Sequence, residues 1–358
     1  MKIALIGPPK SGKTTVFNAL TGTDHPTDKY APPADEANIG IVQVTDERIT
    51  RLSELYKPKK TIYANVEFHD YPGIFAKEGE NPESAIYSGI KSCEAFVLIL
   101  RAFEDSELDQ LYGDDSPLKV LSHFIDEMIL TDLVIAEKRI EKIELGYKRG
   151  VKTPAIQIEE KALRRIIAHL QEGSSIRDMD LAEEEEKSVR GFQFFSAKPL
   201  LMLLNTSESG YTQQEELLHA IRAQGFMAEL IAGKFEQELS VLEPEEAAMF
   251  MADMGIQTSI RDRLTMLCYD LLGLQSFFTV GEDEVRAWTI EKGTNAVTAA
   301  GKIHSDLARG FIRAECFNYS DLMAHGSEKA LREKGLFKLE GKEYPVKDGD
   351  ILNIRFNV

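Results

Sequence analysis

At 358 residues the chain exceeds what one hydrophobic core usually serves, so two or three domains are expected. Its 43% hydrophobic and 28% charged residues, with no apolar run near the length of a bilayer span, exclude a helical membrane protein. A net charge of −17 argues against a general polyanion binder, and the three scattered cysteines (Cys93, Cys268, Cys316) argue against a disulfide scaffold or a Cys-rich metal site.

Residues 2–6 form a short apolar run that reads as a buried parallel strand. The next segment, Gly7-Pro8-Pro9-Lys10-Ser11-Gly12-Lys13-Thr14, matches the phosphate-binding pattern G-x-x-x-x-G-K-[ST]. The segment from Thr15 to Leu20 then places apolar residues at helical spacing. A strand turning into a helix here aims backbone N–H groups and the positive helix end at one point, where anionic oxygens are stabilised. Pro9, Lys10, Ser11, Gly12, Lys13, Thr14 and Thr15 are therefore the expected phosphate contacts. Lys13 reaches the β- and γ-phosphates, and Thr14 ligates Mg²⁺. Because this motif stands where a signal peptide would, a reducing cytoplasmic location without membrane attachment is expected.

Residues 39–44 and 61–68 read as strands, with a helix over 46–55 between them. Asp70-Tyr71-Pro72-Gly73 then supplies the second carboxylate that such a site needs, in the order D-x-x-G. Asp70 is expected to hold a metal-bound water, and the Gly73 N–H to sense the γ-phosphate. The next residue, Ile74, has no group with which to orient an attacking water. Residues 95–100 and 199–204 are compact apolar strands, and this alternation of strand and helix predicts a mostly parallel α/β sheet.

Between about 117 and 190 the pattern changes to two charged, helically spaced segments around a break at Gly150–Pro154, predicting an inserted antiparallel helical arm. After the strand ending near Leu204 comes Asn205-Thr206-Ser207-Glu208, at the place where guanine-specific proteins carry N-K-x-D. Glu208 sets its carboxylate about 1.5 Å further out than an Asp would, which moves the expected base from guanine toward adenine. Asn205 and Thr206 are expected to hold the base, closed over by Ala232 and Gly233. Ser196-Ala197-Lys198 imitates a base-closing loop but lies on the wrong side of the strand.

From residue 275 the chain reads as a small α+β module, with strands over 276–280, 285–290, 310–315 and 351–356 and a helix over 296–307. The module carries a net charge of −1, leaving −16 on the first 274 residues, so RNA contact is expected there before anywhere else. The expected division is 1–115 with 191–274 as the nucleotide domain, 116–190 as the arm, and 275–358 as the terminal module.

Taken together, these segments resemble the YchF, or Obg-like ATPase, branch of the translation-factor GTPases. The resemblance covers nearly the whole chain. It rests on the phosphate loop, the hydrophobic Ile74, the N-x-x-E segment and the helical insertion. It is strongest in Glu284-Val285-Arg286-Ala287-Trp288-Thr289-Ile290, Arg309-Gly310-Phe311-Ile312-Arg313-Ala314 and the terminal Phe356-Asn357-Val358. These blocks are similar to the family's TGS domain, a ubiquitin-like α+β fold. The resemblance implies Mg²⁺-dependent binding and hydrolysis of ATP rather than GTP, and a ribosome or other translation machinery as partner. Two positions depart from the family pattern. Lys10 replaces an Asn that in related proteins helps hold a potassium ion. Its ammonium either supplies that charge covalently or lies solvated at the loop rim. Ala34 replaces the switch threonine that reaches Mg²⁺ and the γ-phosphate, so the fold is expected to persist while hydrolysis is slow or lost.

Overall fold

The computed structural model describes residues 1–27, 37–71, 85–112 and 115–357. Its contacts divide the chain into two units, Met1–Gly40 with Glu67–Arg261 and Ile41–Val66 with Asp262–Val358. In chain order the strands are β1 (Lys2–Ile6), β2 (Asn38–Gln43), β3 (Lys60–Ile62), β4 (Asn65–Asp70), β5 (Ala95–Arg101) and β6 (Leu200–Asn205). There follow β7 (Met227–Ile231), β8 (Leu274–Thr279), β9 (Glu284–Glu291), β10 (Phe311–Asn318), β11 (Lys338–Glu340) and β12 (Asp350–Phe356).

The first unit is built on a sheet of order β2-β4-β1-β5-β6-β7. β1 pairs in parallel with β4 and β5, β5 with β6, and β6 with β7. Parallel strands are covered on both faces, which is why β1 and β6 read as unbroken apolar runs. Ile3 to Ile6 and Leu201 to Leu204 all have 0% exposure. The register places Leu5 beside Asp70, Arg101 beside Asn205, and Asn205 beside Ile231. The segments following β1, β4, β6 and β7 therefore leave the sheet at one edge, the edge where α/β folds carry their ligands.

Two helices, Pro117–Lys148 and Pro154–Gln171, form the arm. Each begins with a proline in its first turn behind a capping side chain, Ser116 Oγ accepting from the Lys119 N–H and Thr153 Oγ1 from the Ile156 N–H. Ile129, Ala136, Ile140 and Ile143 pack against Ala162, Leu163, Ile166 and Leu170. Arg139 forks onto Glu159 at 2.6 and 2.9 Å across the pair. Asp132, wholly buried, fastens the arm to the chain entering β6 by accepting the Phe195 and Ser196 N–H groups at 2.9 and 2.6 Å. Burial pushes its carboxyl up to about 6 against these hydrogen bonds.

The second unit holds a sheet of order β11-β10-β12-β8-β9-β3. Phe277, Ile290, Ala296, Ala299, Ala300 and Leu352 meet in its core. Two sequence expectations are corrected. Residues 61–68 are not one strand, because β3 pairs with β9 while β4 pairs with β1. The half whose Val66 and Phe68 are fully buried follows the parallel sheet, and the half with exposed Lys60 follows the other. The helix expected over 296–307 breaks at His304, whose extended backbone lets its Nδ1 cap Ser305–Arg309 by accepting the Asp306 N–H at 3.2 Å. The loop at 344–346 contributes a single bridge, Asn295 to Pro345. No helix among the described residues is long and apolar enough to cross a membrane, and Cys93, Cys268 and Cys316 are buried free thiols.

Candidate functional site

The loop after β1 winds from Gly7 into the helix Lys13–Thr21. Its tightest point is Gly12, at φ 95°, where an added Cβ would stand 2.0 Å from Asn205 Nδ2. Lys10 also adopts a left-handed backbone, at φ 60°, a conformation that costs an ordinary side chain about 1–2 kcal/mol. Pro9, Lys10 and Thr15 are half-buried around this turn.

Lys13 is only 7% exposed and curls back on the loop, donating from Nζ to the Gly7 and Pro8 carbonyls at 3.1 and 2.8 Å. Burial lowers its pKa to about 8; Asp70 opposes the shift and the Lys10 charge adds to it. A polyanion arriving at the loop reverses that balance, because it rewards the charged ammonium.

Thr14 Oγ1 donates to Asp70 Oδ2 at 2.8 Å, and Asn38 Nδ2 donates to the same oxygen at 3.1 Å. The other carboxylate oxygen, Oδ1, is buried with no hydrogen-bond partner among the described residues. Burial raises the Asp70 pKa, and Thr14, Lys13 and Asn38 work against the rise. A hydroxyl beside a carboxylate with an orphaned oxygen is a donor set suited to Mg²⁺. No group of three His, Cys, Asp or Glu residues suited to a metal occurs among the described residues, so the remaining ligands would be water and phosphate oxygens. Asn38 had no role assigned from the sequence. Nothing in its local pattern points to a carboxylate 32 residues further along the chain.

Asn205 sits at the end of β6 and is 4% exposed. Its Nδ2 donates to the Ser11 carbonyl at 2.9 Å, and its Oδ1 accepts the Gly233 N–H at 3.0 Å. Gly233 allows that approach, since a Cβ there would lie 2.7 Å from Oδ1. The side chain thus braces the phosphate loop against the turn after β7. Both ends of the side chain engage backbone groups. Thr206 ties the neighbouring strand ends together, its N–H donating to the Ile231 carbonyl at 2.7 Å. Ala232 is buried at 1% exposure, and Glu208 is exposed. Ser11 Oγ is buried in the loop with no partner among the described residues. The Ser196–Lys198 segment is engaged elsewhere, Ser196 with Asp132 and Lys198 Nζ with the Cys93 carbonyl at 2.5 Å. Gly73, Ile74 and Ala34 lie outside the described residues.

The geometry agrees with what comparison with known proteins finds. Residues 2–137 match a family model described as a 50S ribosome-binding GTPase, and residues 274–357 match one named YchF-GTPase_C, described as a protein of unknown function. The chain is 38% identical to the ribosome-binding ATPase YchF of Bacillus subtilis (strain 168), covering 99% of this chain and 98% of that protein. The chain belongs to the YchF family. Within it, Obg-like ATPase 1 of Oryza sativa subsp. japonica is 34% identical and 92% covered, so the kinship spans bacterial and plant members. The solved structure of the Schizosaccharomyces pombe YchF GTPase superposes with a TM-score of 0.82 at 29% identity, over 99% of this chain and 97% of that one. This YchF chain thus keeps the family fold.

Proposed function

We propose that this YchF protein is a cytoplasmic, Mg²⁺-dependent ATPase whose nucleotide state governs its association with the ribosome. The observation that carries the reading is the convergence of Lys13, Thr14 and Asp70 at one loop, with Asp70 presenting an unpartnered buried oxygen. The curated bacterial relatives named ribosome-binding ATPases supply the partner class.

Lys13 and the loop N–H groups bind and orient the phosphates, and the ammonium offsets charge that grows on the transferring group. Thr14 and Asp70 would hold the metal. When bound, Mg²⁺ screens the phosphate charge and polarises the γ-phosphoryl group. Gly73 contributes its N–H to the γ-phosphate. Asn205 keeps Ser11 and Gly233 in register around the bound nucleotide, and Thr206, Glu208, Ala232 and Gly233 border the base. The three functional parts are residues 1–115 with 191–274, 116–190, and 275–358, the last being the TGS-like part and the proposed RNA contact.

A GTP reading has specific support in the 50S ribosome-binding GTPase model and in the name of the fission-yeast relative. Equilibrium competition between ATP and GTP for the full chain, with Mg²⁺, decides the base. Preference for ATP is expected from Glu208. Tighter binding of GTP would overturn that part of the proposal.

A further inference from the structure

Between Lys234 and Arg261 the chain contains six carboxylates and neither Lys nor Arg. At its centre stands the helix Pro244–Asp253, fixed at both ends. Before it Leu239 is 7% exposed, and after it Ile256 is 5% exposed and closes the C-terminal turn with its N–H on the Met251 carbonyl at 2.8 Å. Among the described side chains, Ala247, Met251 and Met254 seat the helix, each half-buried. The outward face carries Met249 at 72% and Phe250 at 51% exposure, and the segment leading into the helix exposes Val241 at 78% and Leu242 at 36%. Large apolar side chains grouped in this way on a surface mark a contact site.

Carboxylates bracket the pair. Glu245 precedes Met249 by four residues, Glu246 precedes Phe250 by four, and Asp253 follows them by four and three. At these spacings side chains are neighbours on a helix surface. Glu243, Glu245, Glu246 and Asp253 make no side-chain hydrogen bond or ion pair among the described residues. Glu245 and Glu246 suit the positive helix start. Asp253 sits at the negative end, where a carboxylate is unfavourable. The helix therefore carries a charge that its own fold does not reward.

We infer that this face docks a basic amphipathic helix of a partner protein, whose apolar side chains cover Met249 and Phe250 while Lys or Arg residues meet the flanking carboxylates. Methionine is suited to such a contact because its unbranched chain adapts to the shape it meets. The same carboxylates repel RNA phosphates and anionic lipid headgroups. The inference stands apart from the nucleotide reading and does not depend on it.

The test uses the full chain and a fluorescent Leu/Lys peptide of helical periodicity, with a Leu/Glu peptide, a single-stranded RNA and phosphatidylglycerol vesicles as parallel arms. Both variants change exposed positions, so they fold and bind ATP like the parent. The parent binds the Leu/Lys peptide, more weakly as salt rises. The Met249→Ser, Phe250→Ser double variant binds it at least about tenfold more weakly. The Glu246→Lys, Asp253→Lys variant loses that peptide and gains the Leu/Glu peptide. The inference is overturned if the parent does not bind the Leu/Lys peptide or if parent and both variants bind it equally. It is also overturned if the apolar variant loses RNA or vesicles instead. With ATP binding intact, such a failure leaves the nucleotide reading standing.

Discussion

Replacing Asn205 with alanine separates a brace from a base contact. The change deletes two buried hydrogen bonds, to the Ser11 carbonyl at 2.9 Å and from the Gly233 N–H at 3.0 Å. Each leaves a buried backbone group unsatisfied, at about 1–3 kcal/mol apiece, so the expected loss of stability is about 2–6 kcal/mol. Urea unfolding of parent and variant measures it as a lower midpoint at unchanged slope. A brace also predicts that the loosened loop binds ATP and GTP more weakly by the same factor. Asn205→Asp fares no better, since it sets a carboxylate oxygen against the Ser11 carbonyl. A stability change below about 1 kcal/mol, or a shift in the ATP-to-GTP ratio at unchanged stability, would refute the brace.

Three further outcomes follow from the same contacts. Lys13 has a folded pKa near 8, below its ordinary 10.5, so the nucleotide-free fold binds its proton less tightly than the unfolded chain does. Burying the ammonium therefore costs stability below pH 8, and the cost fades between pH 8 and 10.5; Lys13→Met is more thermostable than the parent at pH 7, and that gap closes by pH 10. Asp132 has the opposite sign, because its folded pKa near 6 lies above 3.8 and the fold binds its proton more tightly. Its contribution grows as pH falls through 6 toward 4, and the parent gains on Asp132→Asn over that interval in denaturant titrations; a gap independent of pH refutes this. Lys10→Asn relieves the left-handed backbone and raises stability by about 0.5–1 kcal/mol, since Asn tolerates that region better. It also weakens ATP binding and makes the ATPase rate respond to potassium over sodium; equal rates and no potassium response in either protein refute a cationic role for Lys10.

What the sequence made legible was local. Lys13 and Thr14 were visible because the motif, the strand before it and the helix after it are contiguous. Asp70 was visible because a strand ends on it. The brace was not, since Ser11, Asn205 and Gly233 meet only when β1, β6 and β7 are laid side by side. Asn38 escaped for the same reason, being 32 residues from the carboxylate it serves. The split of residues 61–68 was hidden because Thr61, Ile62, Val66 and Phe68 all favour strands, and only sheet pairing tells the two halves apart. His304 gave no warning of the helix break, because histidine is neither a strong breaker nor a common cap.

The central claim is that Lys13 and its neighbours hydrolyse ATP. Single-turnover hydrolysis of labelled ATP, with the full chain in excess and Mg²⁺ present, tests it most directly. The parent is expected to release ADP and phosphate, slowly, and Lys13→Ala to release none above the uncatalysed background. Equal product from the two proteins, or none from either while ATP stays bound, would contradict an ATPase and leave a nucleotide-binding module.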